Sequence, residues 1–490
     1  MKSFDLDEYL SDSYYLQYPI DIEVTSIFFN SKLVKKNSIF VAIKGFKVDG
    51  NNYIEDAINN GASLIVSDIL PTKNYDNVGF LIVKNARIAL AKLSQKIYNF
   101  PDKKLKIIGI TGTDGKTSTS FYTYSLLKEL NYNVGLICTT NIDTKNTIEP
   151  SPFRQSTPDA NILFQLLEQC VKSNREYVVL EATSHALSLF FSRLADIELE
   201  ASIITTITHE HIDFHKTEEE YINAKLSIID RLKENGFLIT TKNNKQFDKC
   251  INKTKEANKK YYVVEDLIKY EILNNNTLDK KIIKFEDKTY PTNINLEVFI
   301  SNALLAVLCI NKLTSISFDK ILNKLIKVNQ INGRFNFIQN NINRTIIVDF
   351  AHTSDAFNNL FSQIKKTNKR IIALFGCGGE RDLEKRYEMG KIAGLFCDII
   401  VLSEEDPRFE DNNKIMADIE KGIINSNKEI ELYKINNRYK AIEKVFEISK
   451  KNDILLFLGK GHETSIEREG IKYPYNEIQL INEVIKKLYE

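Results

Sequence analysis

The chain has 490 residues, 43% apolar and 27% charged, an ordinary globular balance at a length where one core stops growing, so about two to four domains are expected. A formal net charge of +1 excludes a bulk electrostatic case for nucleic acid or an anionic membrane. Six scattered cysteines (138, 170, 250, 309, 377 and 397) form no CxxC pair, which argues against a zinc ribbon or disulfide framework and fits a reducing compartment. The segment MKSFDLDEYLSD is acidic rather than leader-like, and no run of about 18 apolar residues is evident. A cytoplasmic enzyme without a membrane or nucleic-acid partner is expected.

Up to about residue 90, the runs Ser38–Ile43 and Ala62–Val66 read as strands around a helical stretch, Tyr53–Asn60. A helical pattern follows over Ala86–Tyr98, then an apolar strand over Leu105–Ile110. Next come the loop TGTDGKT (111–117) and a helix with Phe121, Tyr124, Leu127 and Leu130 at apolar positions. Tyr177–Leu180 and Ala201–Ile207 read as further strands. Residues 240–290 are rich in Lys and Asn with weak periodicity, and read as peripheral structure. From about Gly333 the alternation becomes regular. Strands are expected at Thr345–Val348, Ile371–Phe375, Asp398–Leu402 and Ile454–Leu458. Helices are expected at Asp355–Lys365, Glu384–Phe396, Asn412–Ile424 and Tyr439–Ile448. Such alternation implies a doubly wound, mostly parallel sheet whose ligands sit at the C-terminal strand ends. Those ends carry the polar clusters 349–352, 376–382, 404–408 and 459–463.

TGTDGKT follows a strand and opens a helix, the context in which backbone N–H groups cradle phosphate. Lys116 is placed to reach the outer phosphates and the Thr117 hydroxyl to ligate Mg²⁺. Ile110 stands where the first glycine of a standard phosphate loop falls. Glu181, at a strand end beside this loop, suits a metal ligand. All six histidines (185, 209, 211, 215, 352 and 462) lie in the polar loops, which weighs toward function over a packing role. His209, His211 and Asp213 invite a two-metal hydrolase reading, but Phe214 stands where that motif needs histidine, and His215 is one residue late. A GTPase switch would need NKxD, whereas Asn311-Lys312 and Asn323-Lys324 are followed by Leu-Thr and Leu-Ile. A nicotinamide oxidoreductase would need GxGxxG, which residues 376–381 do not supply.

These motifs together resemble the Mur ligases, the ATP-dependent amide-forming enzymes of peptidoglycan synthesis. TGTDGKT resembles their TGTNGKT, with Asp114 for Asn. LEATSHAL (180–187) resembles EVSSHAL. His211-Ile212-Asp213 with residues 221–225 resembles HLD…YxxAK, residues 332–334 the GR that ends the central domain, and residues 348–353 VDYAHT. The branch it looks most like adds the third residue of the stem peptide. Residues 30–32, 39–45 and 49–50 are similar to that branch's UDP-binding domain, residues 376–382 to GCGGDRD, 405–408 to DNPR and 459–463 to GKGHE. Departures are Asn30 and Lys32 in place of Asp and Arg, Asn51 in place of His, a stretch two residues longer before Arg193, and no Gly-Phe before Asn302.

The resemblance implies an α/β protein of three domains: a small UDP-binding domain (1–90), a central P-loop ATPase domain (91–333) and a C-terminal Rossmann-like doubly wound domain (334–490). It implies phosphorylation of the γ-carboxylate of D-Glu in UDP-MurNAc-L-Ala-D-Glu, then attack by the amine of a diamino acid (meso-diaminopimelate, L-lysine or L-ornithine). ATP contacts are implied at Thr111, Gly112, Thr113, Asp114, Gly115, Lys116, Thr117, Ser118, Asn302, Arg334 and Asp349. Contacts to the UDP-MurNAc-dipeptide are implied at Ser31, Ser156, Thr157, Ser184 and Arg193. Arg381, Asp406, Arg408, Gly459 and Glu463 would hold the amino acid, with Arg408 meeting a distal carboxylate or a salt bridge to Asp406 or Glu410. Lys116, Glu181, His211 and Lys225 would be catalytic. Thr117, Glu181, His211 and Lys225 would serve the metal, Lys225 as an N6-carboxylysine, whereas the residue taken alone reads as a solvated helix lysine. ATP and Mg²⁺ are the implied cofactors, and a monomer is expected. The nearest alternative is another acid–amine ligase of the superfamily, such as folylpolyglutamate synthetase, for which a UDP-binding domain is unnecessary.

Overall fold

The computed structural model describes residues 14–17, 24–45, 48–71, 75, 77–153, 155–208, 215–274, 277–426 and 429–489. The chain divides into two compact units, one of residues 1–208 with 219–264 and one of 209–218 with 265–490.

The first unit contains two sheets. In the smaller, Ser26–Phe28, Ser38–Val41, Ala62–Ser67 and Gly79–Ile82 run parallel in that order, and Tyr14–Gln17 adds antiparallel at the edge. Ser38–Val41 is buried throughout, as the continuous apolar run of a strand covered on both faces requires. The short strands Ser26–Phe28 and Gly79–Ile82 carry too few residues for a periodic signal, and sequence patterning does not reveal them.

The larger sheet has eight strands. Six are parallel, in the order Lys260–Val263, Leu232–Thr240, Leu199–Ile204, Lys106–Thr111, Tyr177–Glu181, Val134–Ile137. Asn141–Asp143 and Glu149–Pro150 continue it antiparallel. From Lys106–Thr111 the chain first builds one side of the sheet, then crosses to Leu199–Ile204 on the other. The strand order therefore reverses beside the loop that follows Thr111, which is where open α/β sheets bind ligands.

The second unit holds a three-stranded antiparallel sheet (Tyr270–Leu273, Ile282–Phe285, Lys288–Pro291) and the 18-residue helix Glu297–Thr314. Residues 240–290 are thus more regular than their composition suggests, because strand pairing, not periodicity, organises them. By length and composition the helix could cross a membrane, contrary to the sequence expectation, but 56% of it is buried inside the protein.

The six-stranded sheet of this unit runs Asn336–Ile338, Thr345–Asp349, Ile454–Leu458, Ile371–Phe375, Ile399–Leu402, Glu431–Lys434, parallel except for the first strand. Alternate residues of each strand enter different cores. Ile347, Ala373, Phe375, Ile400 and Leu456 pack under the helices Ser354–Lys365, Leu383–Phe396 and Asn412–Ile424. Val348, Ile372, Leu374, Val401 and Leu455 pack under Arg438–Ile448 and Glu477–Tyr489. Period-two alternation with both faces covered is what a doubly wound sheet demands. The four strand ends expected to carry chemistry do converge at one edge of this sheet.

Candidate active site

The phosphate loop begins where Lys106–Thr111 ends. Gly112 has φ of 152° and an added Cβ would lie 1.9 Å from Thr205 Oγ1, so only glycine fits. Gly115, at φ of 81°, precedes the helix Lys116–Glu129. The loop is tied to the neighbouring strand end: the Thr113 N–H donates to Thr206 O at 2.6 Å, and the Thr205 hydroxyl to Asp114 O at 2.6 Å. Thr113 Oγ1 accepts the Thr208 N–H at 2.9 Å and lies 2.8 Å from the Tyr221 hydroxyl. Lys116 Nζ donates back to Gly112 O (3.0 Å) and Thr113 O (2.6 Å), curled over the loop. Thr111 and Ser118 are buried at the two ends of this turn, and Asp114 is half-buried within it.

Glu181, at the end of Tyr177–Glu181, is buried. Its Oε2 accepts the Thr117 hydroxyl at 3.0 Å, the Thr139 N–H at 3.1 Å and the Thr139 hydroxyl at 2.8 Å. Ser156 Oγ lies 2.7 Å from Thr139 Oγ1. Thr117 and Glu181, 64 residues apart, are thus side by side, as the P-loop reading requires. Buried oxygen donors of this kind are the chemistry a hard divalent cation prefers. Thr139 has no sequence signal, and only the pairing of Val134–Ile137 beside Tyr177–Glu181 brings it here.

Lys225, in the helix Glu218–Leu226, is 1% exposed. Its Nζ donates to Gly112 O and lies 4.6 Å from the centre of the Tyr221 ring. The reading of a solvated helix lysine is therefore overturned, since packing turns this face inward onto the phosphate loop. His209, His211 and Asp213 lie outside the described residues.

Beyond Glu181, the Thr157 hydroxyl donates to Glu181 O at 2.8 Å and accepts the Thr183 N–H at 3.0 Å. This fastens the turn that presents Ser184. Arg193 donates through Nη1 to Thr157 O (3.0 Å), and its Nε forms an ion pair with Asp159 at 2.8 Å. In the smaller sheet's region Ser31 is buried, and Asn51 is held by Asp49 and by the Ser67 hydroxyl at 2.8 Å.

Asn302, Arg334 and Asp349 belong to the second unit. Asn302 is buried in Glu297–Thr314. Asp349 accepts the N–H groups of Phe335 (2.7 Å) and Ala351 (2.6 Å), and burial pushes its carboxyl above the usual range despite Arg334. Arg334 stacks 4.8 Å from the Phe350 ring, which His352 and His462 flank at 4.6 and 4.8 Å. Burial, reinforced by Arg334 and Lys460, holds His462 neutral, with its pKa down at about 3. Both rings pack against Phe350, and His462 does so as a neutral ring.

The remaining strand ends form a charged nest. Lys460, fully buried, pairs with Asp406 at 3.1 Å and with Glu463. Burial opposes its charge, but Glu463, Asp406 and Glu405 outweigh this and raise its pKa. Burial pushes Glu405 up to about 7, with Glu463 and Asp406 adding to the effect and Lys460 and Arg438 opposing it. Glu405 Oε2 faces Gly459, where an added Cβ would lie 2.8 Å away. Of the two alternatives for Arg408, the salt bridge to Asp406 or Glu410 is not formed. Glu410 is held by Arg386 at 2.7 Å through both oxygens, Asp406 by Lys460, and Arg408 Nη1 donates to Gly379 O at 3.0 Å. Its Nε is buried without a hydrogen-bond partner among the described residues. Arg381 is exposed on the loop after Ile371–Phe375. Lys460 and Glu405 escape sequence reasoning because a motif does not say which charges neutralise one another.

Residues 23–98 match the Mur ligase family catalytic domain, 110–310 the Mur ligase middle domain, and 333–461 the Mur ligase glutamate ligase domain. The chain is similar to a UDP-N-acetylmuramyl-tripeptide synthetase of Borreliella afzelii, 33% identical over 97% of this chain and 96% of that protein. It is 34% identical to a UDP-N-acetylmuramoyl-L-alanyl-D-glutamate–2,6-diaminopimelate ligase of Clostridium tetani, over 96% of each. Among solved structures, a Thermotoga maritima MurF ligase in complex with ADP shares the fold, with a TM-score of 0.64 at 21% identity, over 96% of this chain and 99% of that one.

Proposed function

The chain belongs to the Mur ligase family, has its three-domain α/β fold and is an ATP-dependent ligase; on that premise we propose that it joins a diamino acid to the γ-carboxylate of D-Glu in UDP-MurNAc-L-Ala-D-Glu. The observation that carries the reading is the meeting of Thr117 and Glu181 on one buried carboxylate oxygen directly under the phosphate loop. We place the UDP-binding, ATP-binding and amino-acid-binding domains at 1–90, 91–333 and 334–490. The match of residues 23–98 to the family's first domain argues against a folate ligase, which has no need of a UDP site.

A carboxylate is a poor electrophile, so the γ-phosphoryl group is transferred from ATP to a carboxylate oxygen. The amine then attacks the carbonyl carbon, loses a proton, and phosphate leaves. Two anions must be brought together, so cations and backbone N–H groups supply most of the stabilisation. The loop from Gly112 to Thr117 cradles the phosphates. Lys116 exchanges its two loop carbonyls for phosphate oxygens when ATP enters. Thr117 and Glu181 fit Mg²⁺ by their oxygen chemistry, with His211 and Lys225 as further candidates, and the ion when bound neutralises charge on the phosphates. Ser31, Ser156, Thr157, Ser184 and Arg193 orient the first substrate; Asn302, Arg334 and Asp349 serve the nucleotide from the second unit.

For the amino acid, Arg381 suits the α-carboxylate through a bidentate contact. Arg408, whose charge meets no carboxylate among the described residues, suits a distal carboxylate. Asp406 and Glu463 outnumber Lys460, so the nest retains room for a distal ammonium. A distal end bearing both charges, as in meso-diaminopimelate, fits best, and lysine and ornithine fit the acids alone. This reading sets the enzyme to work in the cytoplasm as a monomer. It is tested by ADP release with UDP-MurNAc-L-Ala-D-Glu and, in turn, meso-diaminopimelate, lysine and ornithine. Turnover with one of these is expected. Turnover only with a neutral amino acid, or with folate in place of the UDP-sugar peptide, would overturn it.

A further inference from the structure

The segment between Ser188 and Arg193 folds into a closed turn. The Ser192 N–H donates to Ser188 O at 2.9 Å, and the hydroxyls of Ser188 and Ser192 bond His185 O (2.7 Å) and Leu189 O (2.8 Å). At its tip Phe190 and Phe191 meet edge to face, ring centres 5.0 Å apart. Over this pair lies a guanidinium from a distant part of the chain. Arg87 Cζ is 4.6 Å from the Phe190 centroid and 5.0 Å from that of Phe191. Arg193 Cζ is 4.7 Å from the Phe191 centroid. Phe191 is therefore shared by two guanidinium groups.

Arg87 is held in place from its backbone outward. It sits in the first turn of Ala86–Ile97, where its N–H bonds the Asn85 side chain at 2.9 Å, and its Nη2 donates to Lys44 O at 3.1 Å. Asp159 lies 2.8 Å from Arg193 Nε; among the described residues Arg87 forms no ion pair, and Asp159 and Asp68 act on its charge only from a distance. Burial lowers the pKa of both arginines; Asp159 opposes this in each and Asp68 also in Arg87, whereas Arg193 adds to it in Arg87. Two like charges gathered in a partly desolvated corner repel, and an entering anion relieves that repulsion. Aromatic rings hold planar guanidinium groups without satisfying their N–H donors, which stay available for an oxyanion. The corner adjoins Thr157, whose carbonyl binds Arg193 and whose hydroxyl binds Glu181 O. It therefore lies on the side of the phosphate loop where the acceptor peptide would have to end.

We propose that Arg87 is a positioning residue which, with Arg193 and on the Phe190–Phe191 platform, seats a free carboxylate of the dipeptide substrate. The proposal rests on the reading of UDP-MurNAc-L-Ala-D-Glu as first substrate. The oxyanion could instead come from the substrate's diphosphate, and the two sources are separable.

The test is isothermal titration of the full-length protein, wild type and Arg87→Ala, with UDP-MurNAc-L-Ala-D-Glu and separately with UDP. It is accompanied by steady-state kinetics. Loss of one charged contact is expected to weaken binding of the UDP-sugar dipeptide by about 10- to 100-fold. UDP alone, and the KM values for ATP and the amino acid, should change less than about two-fold, within the noise of a surface change. The KM for the dipeptide substrate should rise while kcat holds. Arg87→Lys keeps the stem and charge, tests the case in which Arg87→Ala does not fold, and should lose part of the affinity. Double substitution Phe190→Ala/Phe191→Ala should mimic it. Equal weakening of UDP and of the dipeptide substrate would assign the seat to the diphosphate and overturn the proposal. Unchanged dipeptide binding in both Arg87 variants would also overturn it. Failure of the wild type to bind the UDP-sugar dipeptide would instead overturn the parent reading.

Discussion

At Glu181 three donors meet one carboxylate oxygen, two of them hydroxyls that can turn toward phosphate or metal. Glu181→Gln keeps the shape and removes the anion. It should lower kcat by at least about 100-fold with an unchanged circular dichroism spectrum; near wild-type turnover would remove Glu181 from the chemistry. Lys225 poses a sharper question. As an ammonium it donates to Gly112 O; as a carbamate it would present acceptors to the same carbonyl and have to swing away. Lys225→Ala should abolish turnover, and if the carbamate forms, bicarbonate should stimulate the wild type. Glu405 governs a pH effect. Its carboxyl, raised to about 7 in the fold against about 4.3 in an unfolded chain, stays protonated where the unfolded chain has released its proton. Its favourable contribution is complete below the unfolded value and is lost as pH rises through 7. Urea unfolding of wild type should show stability falling between about pH 5 and 8, and Glu405→Gln should flatten that slope. Glu181 and Lys225 were legible in the sequence, but Glu405, and the protonation and pairing of all three, were not, because charge compensation depends on which loops meet.

At the scale of elements, the C-terminal sheet was the most readable part. Ile371–Phe375, Asn412–Ile424 and Ile454–Leu458 coincide with the ranges that alternation predicts, since each lies in a long apolar period. Besides the final helix Glu477–Tyr489, elements that missed the pattern are edge pieces. Glu431–Lys434 and the hairpin Ser465–Arg468 with Ile471–Pro474 expose many of their side chains, so solvent, not a core, sets their composition. The helix Arg438–Ile448 shows an interaction no periodicity reveals. Arg438 bonds both oxygens of Glu477 and the carbonyls of Glu404 (3.1 Å) and Leu458 (2.7 Å), with both charged side chains buried. It fastens the helix, a strand end and the final helix together. Arg438→Ala strands a buried carboxylate and should cost about 3–5 kcal/mol in urea unfolding; a loss below about 1 kcal/mol, the scale of an exposed pair, would contradict the burial.

For the whole molecule, the phosphate loop lies in one compact unit, and the amino-acid nest with Asn302 and Arg334 lies in the other. Transfer requires both at one carboxylate, so ligands should bring the units together. X-ray scattering should show a smaller radius of gyration with an ATP analogue and UDP-MurNAc-L-Ala-D-Glu than without; equal radii would argue against closure. The order of motifs along the chain determined the family, the phosphate loop and the alternating C-terminal sheet, because each depends on residues close in sequence. Only tertiary structure decided that Lys225 is buried, that Thr139 joins Thr117 on Glu181, that Lys460 takes the acids expected for substrate, and that Arg87 shares Phe191 with Arg193. Most of those pairings span from tens to more than a hundred residues. They arise where strand order reverses or strand ends converge, and strand order is set by long-range packing that no local pattern encodes.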